Sequence, residues 1–209
     1  MLRILIAEDH TVVRKGLKQI LLDEFTAAVI EEVADAEELI KKVMTDKWDV
    51  VVSDLSMPGR SGLDALQQIK ISHPELPVLI LSIHPEEQYA LRALKSGASG
   101  YLSKDTAPDE LVKAVRKVLL GKKYISQSIA EKLASTFSSD TVMNPHESLS
   151  DREFDVMKLL ANGKSVSEIA EMLSLSVTTV STYRARVMVK MDLKSNSDLT
   201  KYAIENNLL

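Results

Sequence analysis

Apolar, strand-like runs alternate with stretches of helical periodicity along the first 120 residues of the chain. Such alternation predicts βα units, in which each helix returns the chain across the sheet and successive strands run parallel. Five units follow one another, so the pattern predicts a five-stranded, doubly wound parallel sheet with helices on both faces. The predicted strands are Leu2–Ala7, Ala28–Ala34, Trp48–Ser53, Val78–Ser82 and Gly100–Ser103. The predicted helices are Val12–Glu24, Glu37–Thr45, Leu63–Ile71, Glu86–Ser96 and Asp109–Leu119.

The carboxyl ends of these strands carry a set of reactive side chains. Right-handed crossovers bring all the ends to one edge of the sheet, where open α/β sheets bind ligands. The side chains that reach this edge are Glu8, Asp9, Asp54, Ser82 and Lys104. Clustered carboxylates repel one another unless a cation lies among them, so the set predicts a hard divalent metal such as Mg²⁺. The chemistry that follows is phosphoryl transfer to Asp54, with Lys104 neutralising phosphoryl oxygens and Ser82 donating a hydrogen bond to the product.

Each of these residues also has a purely structural interpretation. Asp54 would cap the turn at Met57-Pro58-Gly59, Lys104 would be a solvated charge, and Ser82 would bond the backbone. Tyr101 would pack at the rim of the sheet with its hydroxyl in water. Their convergence on one edge favours the functional interpretation.

Two histidines near this edge admit other chemistry. His10 follows the acidic pair and is assigned to the start of the first helix rather than to the metal. His84 lies close to Ser82 and superficially suggests a hydrolase triad, but no Gly-x-Ser-x-Gly elbow surrounds the serine. Both histidines are therefore left outside the predicted site.

The composition and charge fit a soluble chain with two domains. The 209 residues are 45% hydrophobic and 27% charged, and they include no cysteine. No apolar run reaches the roughly 18 residues of a membrane span, and the chain begins in a strand pattern rather than a signal peptide. We therefore expect a cytoplasmic protein without membrane contact. The net charge of −4 comes from residues 1–120, with 15 basic and 19 acidic side chains, whereas residues 149–209 hold 8 of each.

A polar stretch separates the two predicted domains. Thr106 is expected to cap the last helix of the first domain, with Asp109 three residues later. The first domain is then residues 1–120, and the linker is residues 121–146 with a short helix over Ser128–Phe137. The second, smaller domain is residues 147–209.

Repeated capping boxes predict that the second domain is all-α. A serine precedes an acid by three residues at Ser150-x-x-Glu153, Ser165-x-x-Glu168 and Ser195-x-x-Asp198. These boxes predict helices at about 151–162, 166–173 and 196–206. Ser176 is predicted to cap a fourth helix that ends near Met191, and the segment from 166 to 191 reads as helix, tight turn, helix.

The fourth of these helices has one apolar and one small, hydroxylated side. Val177, Val180, Val187 and Met191 share the side predicted to face the domain core. The opposite side fits a DNA major groove, because small polar side chains read base edges while basic ones contact phosphates. The predicted DNA contacts are Thr178, Thr179, Ser181, Thr182, Ala185, Arg186 and Lys190. The alternative is a three-helix packing module with a solvated outer face.

The first 120 residues resemble the receiver domain of bacterial two-component response regulators. The residues that carry the resemblance are Glu8-Asp9, Asp54 with Met57-Pro58 and Gly62, Ser82, and Lys104 with Tyr101. It implies a flavodoxin-like fold and phosphorylation of Asp54 by a sensor histidine kinase. It also implies Mg²⁺ held by Glu8, Asp9, Asp54 and the main-chain carbonyl of Met57. In this family the serine and the tyrosine form a switch, in which phosphate draws Ser82 inward and Tyr101 turns toward the core.

The second domain resembles the LuxR-type helix–turn–helix domain. The resemblance lies in Leu149-Ser150-x-Arg152-Glu153, Glu168-Ile169-Ala170, Thr179-Val180 and Lys190-Met191. Together with the receiver it implies the NarL/FixJ class of response regulators, which bind double-stranded DNA as homodimers when phosphorylated. The chain departs from the family at Ser181-Thr182-Tyr183, where Lys-x-His is common, and at Asp192, where Gly is common. In the first domain, Asp105 stands where many receivers have Pro.

The sequence therefore predicts a phosphorylation-activated transcriptional regulator rather than an enzyme. One rival is a haloacid-dehalogenase-like phosphatase, but Ser56 stands where that family has its second Asp. Another is a regulator that works without phosphorylation, against which the full set of strand-end residues argues.

Overall fold

The structure is a computed structural model that describes residues 1–131 and 144–209, apart from the side chain of Glu87. The chain divides into two compact units, which are described separately. Among the described residues, no helix combines the length and the apolar character that crossing a bilayer requires.

The first unit is a five-stranded parallel sheet in the order β2-β1-β3-β4-β5, which confirms the predicted fold. Its strands are β1 (Arg3–Ala7), β2 (Val29–Val33), β3 (Val50–Asp54), β4 (Val78–Ser82) and β5 (Gly100–Ser103). Its helices are α1 (Thr11–Glu24), α2 (Ala36–Thr45), α3 (Gly62–Ser72), α4 (Glu86–Lys95) and α5 (Ala107–Leu119). Every residue of β3 and β4 is buried, because helices cover both faces of the sheet. The chain order reverses between β1 and β3, and ligand crevices form at such a reversal.

The element ends differ from the prediction at two informative places. β3 extends through Asp54, so the predicted phosphoacceptor is the last residue of the strand itself. Thr106 precedes α5, but its side chain makes no capping bond. Its backbone is already helical, and its hydroxyl donates back to the Ser103 carbonyl at 3.3 Å. The predicted Thr106 cap is therefore wrong.

The segment after α5 is described only in part. The chain first returns to the sheet, where Tyr124 bridges to Gly100 on β5. Residues 127–131 are helical, which agrees with the start of the predicted Ser128–Phe137 helix; the rest of that helix, like residues 138–143 of the linker, lies outside the described residues. Pro145–Ser148 form one 3₁₀ turn within the second unit, ahead of its first α-helix.

The second unit consists of helices in its described residues, as predicted. They are α6 (Asp151–Ala161), α7 (Val166–Met172), α8 (Val177–Lys190) and α9 (Asn196–Glu205). The capping boxes at Ser150 and Ser165 are both formed with reciprocal bonds. Asp192 follows α8 with a φ of +52°, so an aspartate adopts the left-handed conformation that a glycine would supply more easily.

Candidate functional site

Four potential metal ligands meet at the carboxyl edge of the sheet, beside the ends of β1 and β3. One ligand atom from each of Glu8, Asp9, His10 and Asp54 lies within 4.8 Å of the other three. Glu8 is fully buried and Asp54 is 1% exposed. The structure thus brings together the three carboxylates that the strand pattern predicted, and it adds a histidine. Met57, whose carbonyl was the fourth predicted ligand, is buried between β3 and α3.

Lys104 joins this acidic cluster from the end of β5. Its Nζ lies 2.9 Å from Asp54 Oδ2 and 2.8 Å from Glu8 Oε2. Burial by itself lowers the pKa of Lys104, but the bonds to the two carboxylates outweigh burial and raise it. Lys104 is therefore a fixed ammonium shared between two buried acids.

The surroundings of Asp54 hinder its ionisation. Burial raises its pKa from an ordinary 3.8 to about 6, and the charge of Glu8 acts in the same direction. Lys104 and the Ser56 backbone N–H, which donates to Asp54 Oδ1 at 3.1 Å, oppose the rise without cancelling it. The cluster of Glu8, Asp54 and Lys104 carries a net negative charge when both acids are ionised. A further cation beside Asp54 would neutralise this excess negative charge.

Ser82 and Tyr101 lie on neighbouring strands and share one partner, His84. The His84 backbone N–H donates to Ser82 Oγ at 2.9 Å, and the Tyr101 hydroxyl donates to the His84 carbonyl at 3.0 Å. The tyrosine is 2% exposed, so its ring is turned into the protein. The alternative of a rim tyrosine with its hydroxyl in water is therefore wrong.

His10 lies at the start of α1, as predicted, but its side chain contacts the acidic pair rather than the helix. It is the N-cap residue of α1, yet its side chain makes no capping bond. Its Nδ1 instead lies 2.8 Å from Asp9 Oδ1 and 3.2 Å from Glu8 Oε1. The neighbouring Asp9 charge, together with bonds to Glu8 and Asp9, raises the pKa of His10. The structure therefore places the His10 ring beside the acidic cluster, a contact that sequence adjacency does not reveal.

Helix α8 presents most of the predicted groove-facing residues to solvent. Thr178, Ser181, Thr182, Ala185 and Arg186 are exposed. Val180, Val187 and Met191 are buried as predicted, whereas Val177 is 51% exposed. Val177 is the first residue of the helix, and helical side chains lean toward the N-terminus.

Two of the predicted DNA contacts have intramolecular partners. Lys190 Nζ lies 2.6 Å from Oε2 of Glu153, whose side chain is 3% exposed. Its charge is therefore shared with an acid of the same domain, while its side chain is 40% exposed, and the DNA contact predicted for it stays a prediction. Thr179 is half-buried, and its hydroxyl shares a 2.7 Å hydrogen bond with that of Ser176, the residue that caps α8. Both side chains stabilise the start or the packing of α8.

Comparison with known families identifies both units. Residues 4–116 match the response regulator receiver domain, and residues 147–203 match the bacterial regulatory proteins of the luxR family. The chain is a response regulator. It joins a receiver domain to a LuxR-type DNA-binding domain, and it is a transcriptional regulator rather than an enzyme.

Relatives of this response regulator align along its whole length. Response regulator UvrY of Escherichia coli strain K12 is 37% identical over 209 residues, which cover all of this chain and 96% of UvrY. Oxygen regulatory protein NreC of Staphylococcus haemolyticus is 40% identical over 215 residues and 99% of its length. RcsB from Salmonella enterica serovar Typhimurium, bound to promoter rprA with phosphomimetic BeF₃⁻, has 26% identity and a TM-score of 0.63 over 97% of this chain and 98% of RcsB.

The response regulator carries one contact beside Asp54 that sequence reasoning missed. Ser56 Oγ lies 3.1 Å from His84 Nε2, and the His84 ring stacks on Tyr89 with centroids 4.7 Å apart. Ser56 is two residues beyond the end of β3, and His84 is two residues beyond the end of β4. The sequence contained a signal for this contact, because residues at equal distances beyond the ends of adjacent parallel strands lie side by side.

Proposed function

We propose that Asp54 of this response regulator accepts a phosphoryl group from a sensor histidine kinase, and that this phosphorylation controls DNA binding by the second domain. The observation that carries the proposal is the meeting of Asp54 with an acidic pair and Lys104 at one edge of the sheet. Asp54 is a carboxylate with an ammonium 2.9 Å away, which is the arrangement needed for a nucleophile that must receive a highly charged group.

The transfer exchanges one bond to phosphorus for another. A carboxylate oxygen of Asp54 attacks the phosphorus atom, and the bond from phosphorus to the imidazole nitrogen of the donor breaks, leaving the electron pair on that nitrogen. The Lys104 ammonium neutralises part of the charge on the transferred oxygens. The Ser82 hydroxyl, now held by the His84 N–H, is available to rotate toward the product phosphate, while Tyr101 already lies inward.

The proposed cofactor is Mg²⁺, held by Glu8, Asp9, Asp54 and the Met57 main-chain carbonyl. The residues fit a hard divalent cation because three carboxylates face a single ammonium. Glu8 Oε2 and Asp9 Oδ1 are buried oxygens whose polar contacts in the described part of the chain are the Lys104 ammonium and the His10 ring. When bound, the ion supplies positive charge to the phosphoryl oxygens and to the carboxylates around them.

The DNA-binding face proposed for the second domain is the exposed side of α8. Thr178, Ser181, Thr182 and Ala185 are placed to read base edges, and Arg186 to contact phosphate. Thr179 and Lys190 remain proposed contacts, and each also has a partner within the domain. The solved complexes of RcsB with promoter DNA in the presence of a phosphomimetic support DNA binding in the phosphorylated state.

The proposed organisation is a receiver at residues 1–120, a linker at 121–146 and the DNA-binding domain at 147–209. The family matches at 4–116 and 147–203 fall inside these limits. We further propose a cytoplasmic protein that forms a homodimer on double-stranded DNA when phosphorylated. The kinase, the dimer and the location rest on the family.

The test is phosphorylation with radiolabelled acetyl phosphate and Mg²⁺, followed by DNA-binding and light-scattering measurements. Asp54→Ala is expected to abolish labelling, whereas Asp49→Ala, an exposed acid just before the same strand, should be labelled like the wild type. Arg186→Ala should be labelled normally but bind DNA more weakly. Labelling of Asp54→Ala would refute the assignment of the phosphoacceptor.

A further inference from the structure

We infer that His10 is a nitrogen ligand of the proposed metal site, and that the site therefore binds Zn²⁺ and Co²⁺ more tightly, relative to Mg²⁺, than its oxygen donors alone would allow. The inference rests on the proposed metal site and adds one residue and a metal preference to it. The residues that carry it are Glu8, Asp9, His10 and Asp54.

The distances place the imidazole within the same coordination sphere as the carboxylates. His10 Nδ1 is 2.8 Å from Asp9 Oδ1 and 3.2 Å from Glu8 Oε1, and the four ligand atoms lie within 4.8 Å of one another. Ligands on opposite sides of one ion are about 4.2 Å apart when each bond is about 2.1 Å long. Adjustments of a few tenths of an ångström would therefore bring all four atoms onto one ion.

The carboxylates of this cluster still offer oxygens toward a cation. Glu8 is fully buried, so water does not screen its carboxylate. Asp9 Oδ1 is also a buried oxygen, and its polar contact in the described part of the chain is His10 Nδ1 at 2.8 Å. Lys104 Nζ, at 2.8 Å from Glu8 Oε2, makes an ion pair there. One ammonium against three carboxylates leaves the cluster short of positive charge.

His10 is held beside the cluster by its backbone, and its ring lies against Glu8 and Asp9. The His10 N–H donates to Glu8 Oε1 at 3.1 Å, which fixes the residue beside the cluster. The side chain makes no capping bond to α1 and is 68% exposed, so the ring is free to adjust its angle around a metal. The ring contacts that the described structure records are with Glu8 and Asp9.

The chemistry of the ligand atoms determines which ions bind more tightly when His10 is added. Mg²⁺ prefers oxygen donors and retains its waters, so an imidazole adds little to its affinity. Zn²⁺ and Co²⁺ bind imidazole nitrogen well and form stronger complexes than Mg²⁺ with mixed nitrogen and oxygen ligands. His10 should therefore increase affinity for the transition ions selectively.

The experiment measures metal affinity of the full chain and does not depend on phosphorylation. MgCl₂ and ZnCl₂ are titrated by calorimetry, and CoCl₂ by visible absorption, into the wild type, His10→Ala and His10→Gln. We expect both variants to lose at least about tenfold in Zn²⁺ and Co²⁺ affinity, since even outer partners of a metal ligand are worth 10–100-fold. Mg²⁺ affinity should change less than twofold. His73→Ala, which removes a histidine at the end of α3, is the matched control and should match the wild type for all three ions.

A measurement on the wild type does not depend on whether the variants fold correctly. The ¹⁵N resonance of His10 Nδ1 in the wild type should shift on Zn²⁺ addition and remain in place on Mg²⁺ addition. Equal losses for Mg²⁺ and Zn²⁺ in His10→Ala, no loss for either, or an unmoved Nδ1 resonance would each overturn the inference.

The same samples separate this inference from the proposed function. Mg²⁺-supported labelling of His10→Ala by acetyl phosphate, combined with an unchanged ratio of Zn²⁺ to Mg²⁺ affinity, would overturn the role of His10 alone. If the wild type bound none of the ions, both the role of His10 and the metal site of the proposed function would be overturned.

Discussion

Replacing Asp54 by Asn should make the receiver domain more stable at neutral pH in the absence of divalent cations. Asp54 is 1% exposed and shares one ammonium, Lys104, with the fully buried Glu8. Two acids and one base leave a buried negative charge without compensation. An asparagine has nearly the same shape, and its carbonyl oxygen still accepts the Ser56 N–H, so the variant removes the charge with little change in packing.

The magnitude follows from the pKa of Asp54. A rise from 3.8 to about 6 corresponds to about 3 kcal/mol at roughly 1.4 kcal/mol per pKa unit. When the asparagine carbonyl accepts the Ser56 N–H, its Nδ2 amide takes the place of Oδ2 and cannot accept from Lys104, so that bond is lost, which takes back about 1 kcal/mol. The expected net gain at pH 7 is therefore about 2 kcal/mol.

The sign depends on pH in a defined way. Because the folded state holds the Asp54 proton more tightly than the unfolded state, the wild type loses stability as pH rises from about 4 to about 6. The variant lacks this loss. Its advantage should therefore be full above pH 6 and fall below about 0.5 kcal/mol at pH 4.

The assay is urea unfolding followed by tryptophan fluorescence in buffers that contain a chelator. Trp48 is the only tryptophan of the sequence and is 9% exposed, so its emission reports the unfolding of the first unit alone. Asp49→Asn is the control, since Asp49 is exposed just before the same strand, and an asparagine carbonyl can still accept the Arg3 backbone N–H that Asp49 Oδ2 accepts at 2.7 Å, so stability should change by less than about 1 kcal/mol. Equal stability of Asp54→Asn and wild type at pH 7, or the same gain at pH 4 and pH 7, would refute the electrostatic reasoning.

Two further substitutions test packing and pairing. In Gly62→Ala the added Cβ would lie 2.0 Å from the Asp54 carbonyl oxygen, so we expect a loss of about 3 kcal/mol in the same fluorescence assay. At Gly59 nothing lies within 4 Å of an added Cβ, but φ is +72°, so Gly59→Ala should lose only about 1 kcal/mol of stability. Equal losses for the two glycine variants would contradict the clash at Gly62. Lys190→Met should destabilise the second unit by about 1–2 kcal/mol in thermal unfolding followed by circular dichroism, because it removes the cation from buried Glu153. Burial raises the pKa of Glu153, but the bonds to Lys190 and Ser150 outweigh it and lower the pKa, so this difference should shrink as pH falls below 4.5; a constant difference would argue against the ion pair.

The local signals in the sequence were sufficient for the architecture and for most of the receiver site. Buried parallel strands need continuous apolar runs, and helix starts need side chains that accept backbone N–H groups. Such requirements act within a few residues. The sequence alone therefore determined the sheet, the capping boxes at Ser150 and Ser165, and the placing of Asp54 with Lys104 at one edge.

The tertiary structure decided which partner each polar side chain takes. The turn of His10 toward Asp9 and the ion pair between Lys190 and Glu153 follow no rule of spacing. A flexible side chain pairs with a buried charge that lacks a partner. Which buried charges lack one is set only when elements distant in sequence have packed together. The sequence by itself determined where the charges of this protein lie along the edge and the helix. Only the folded chain decided which of them remain available for a metal, a phosphoryl group or DNA.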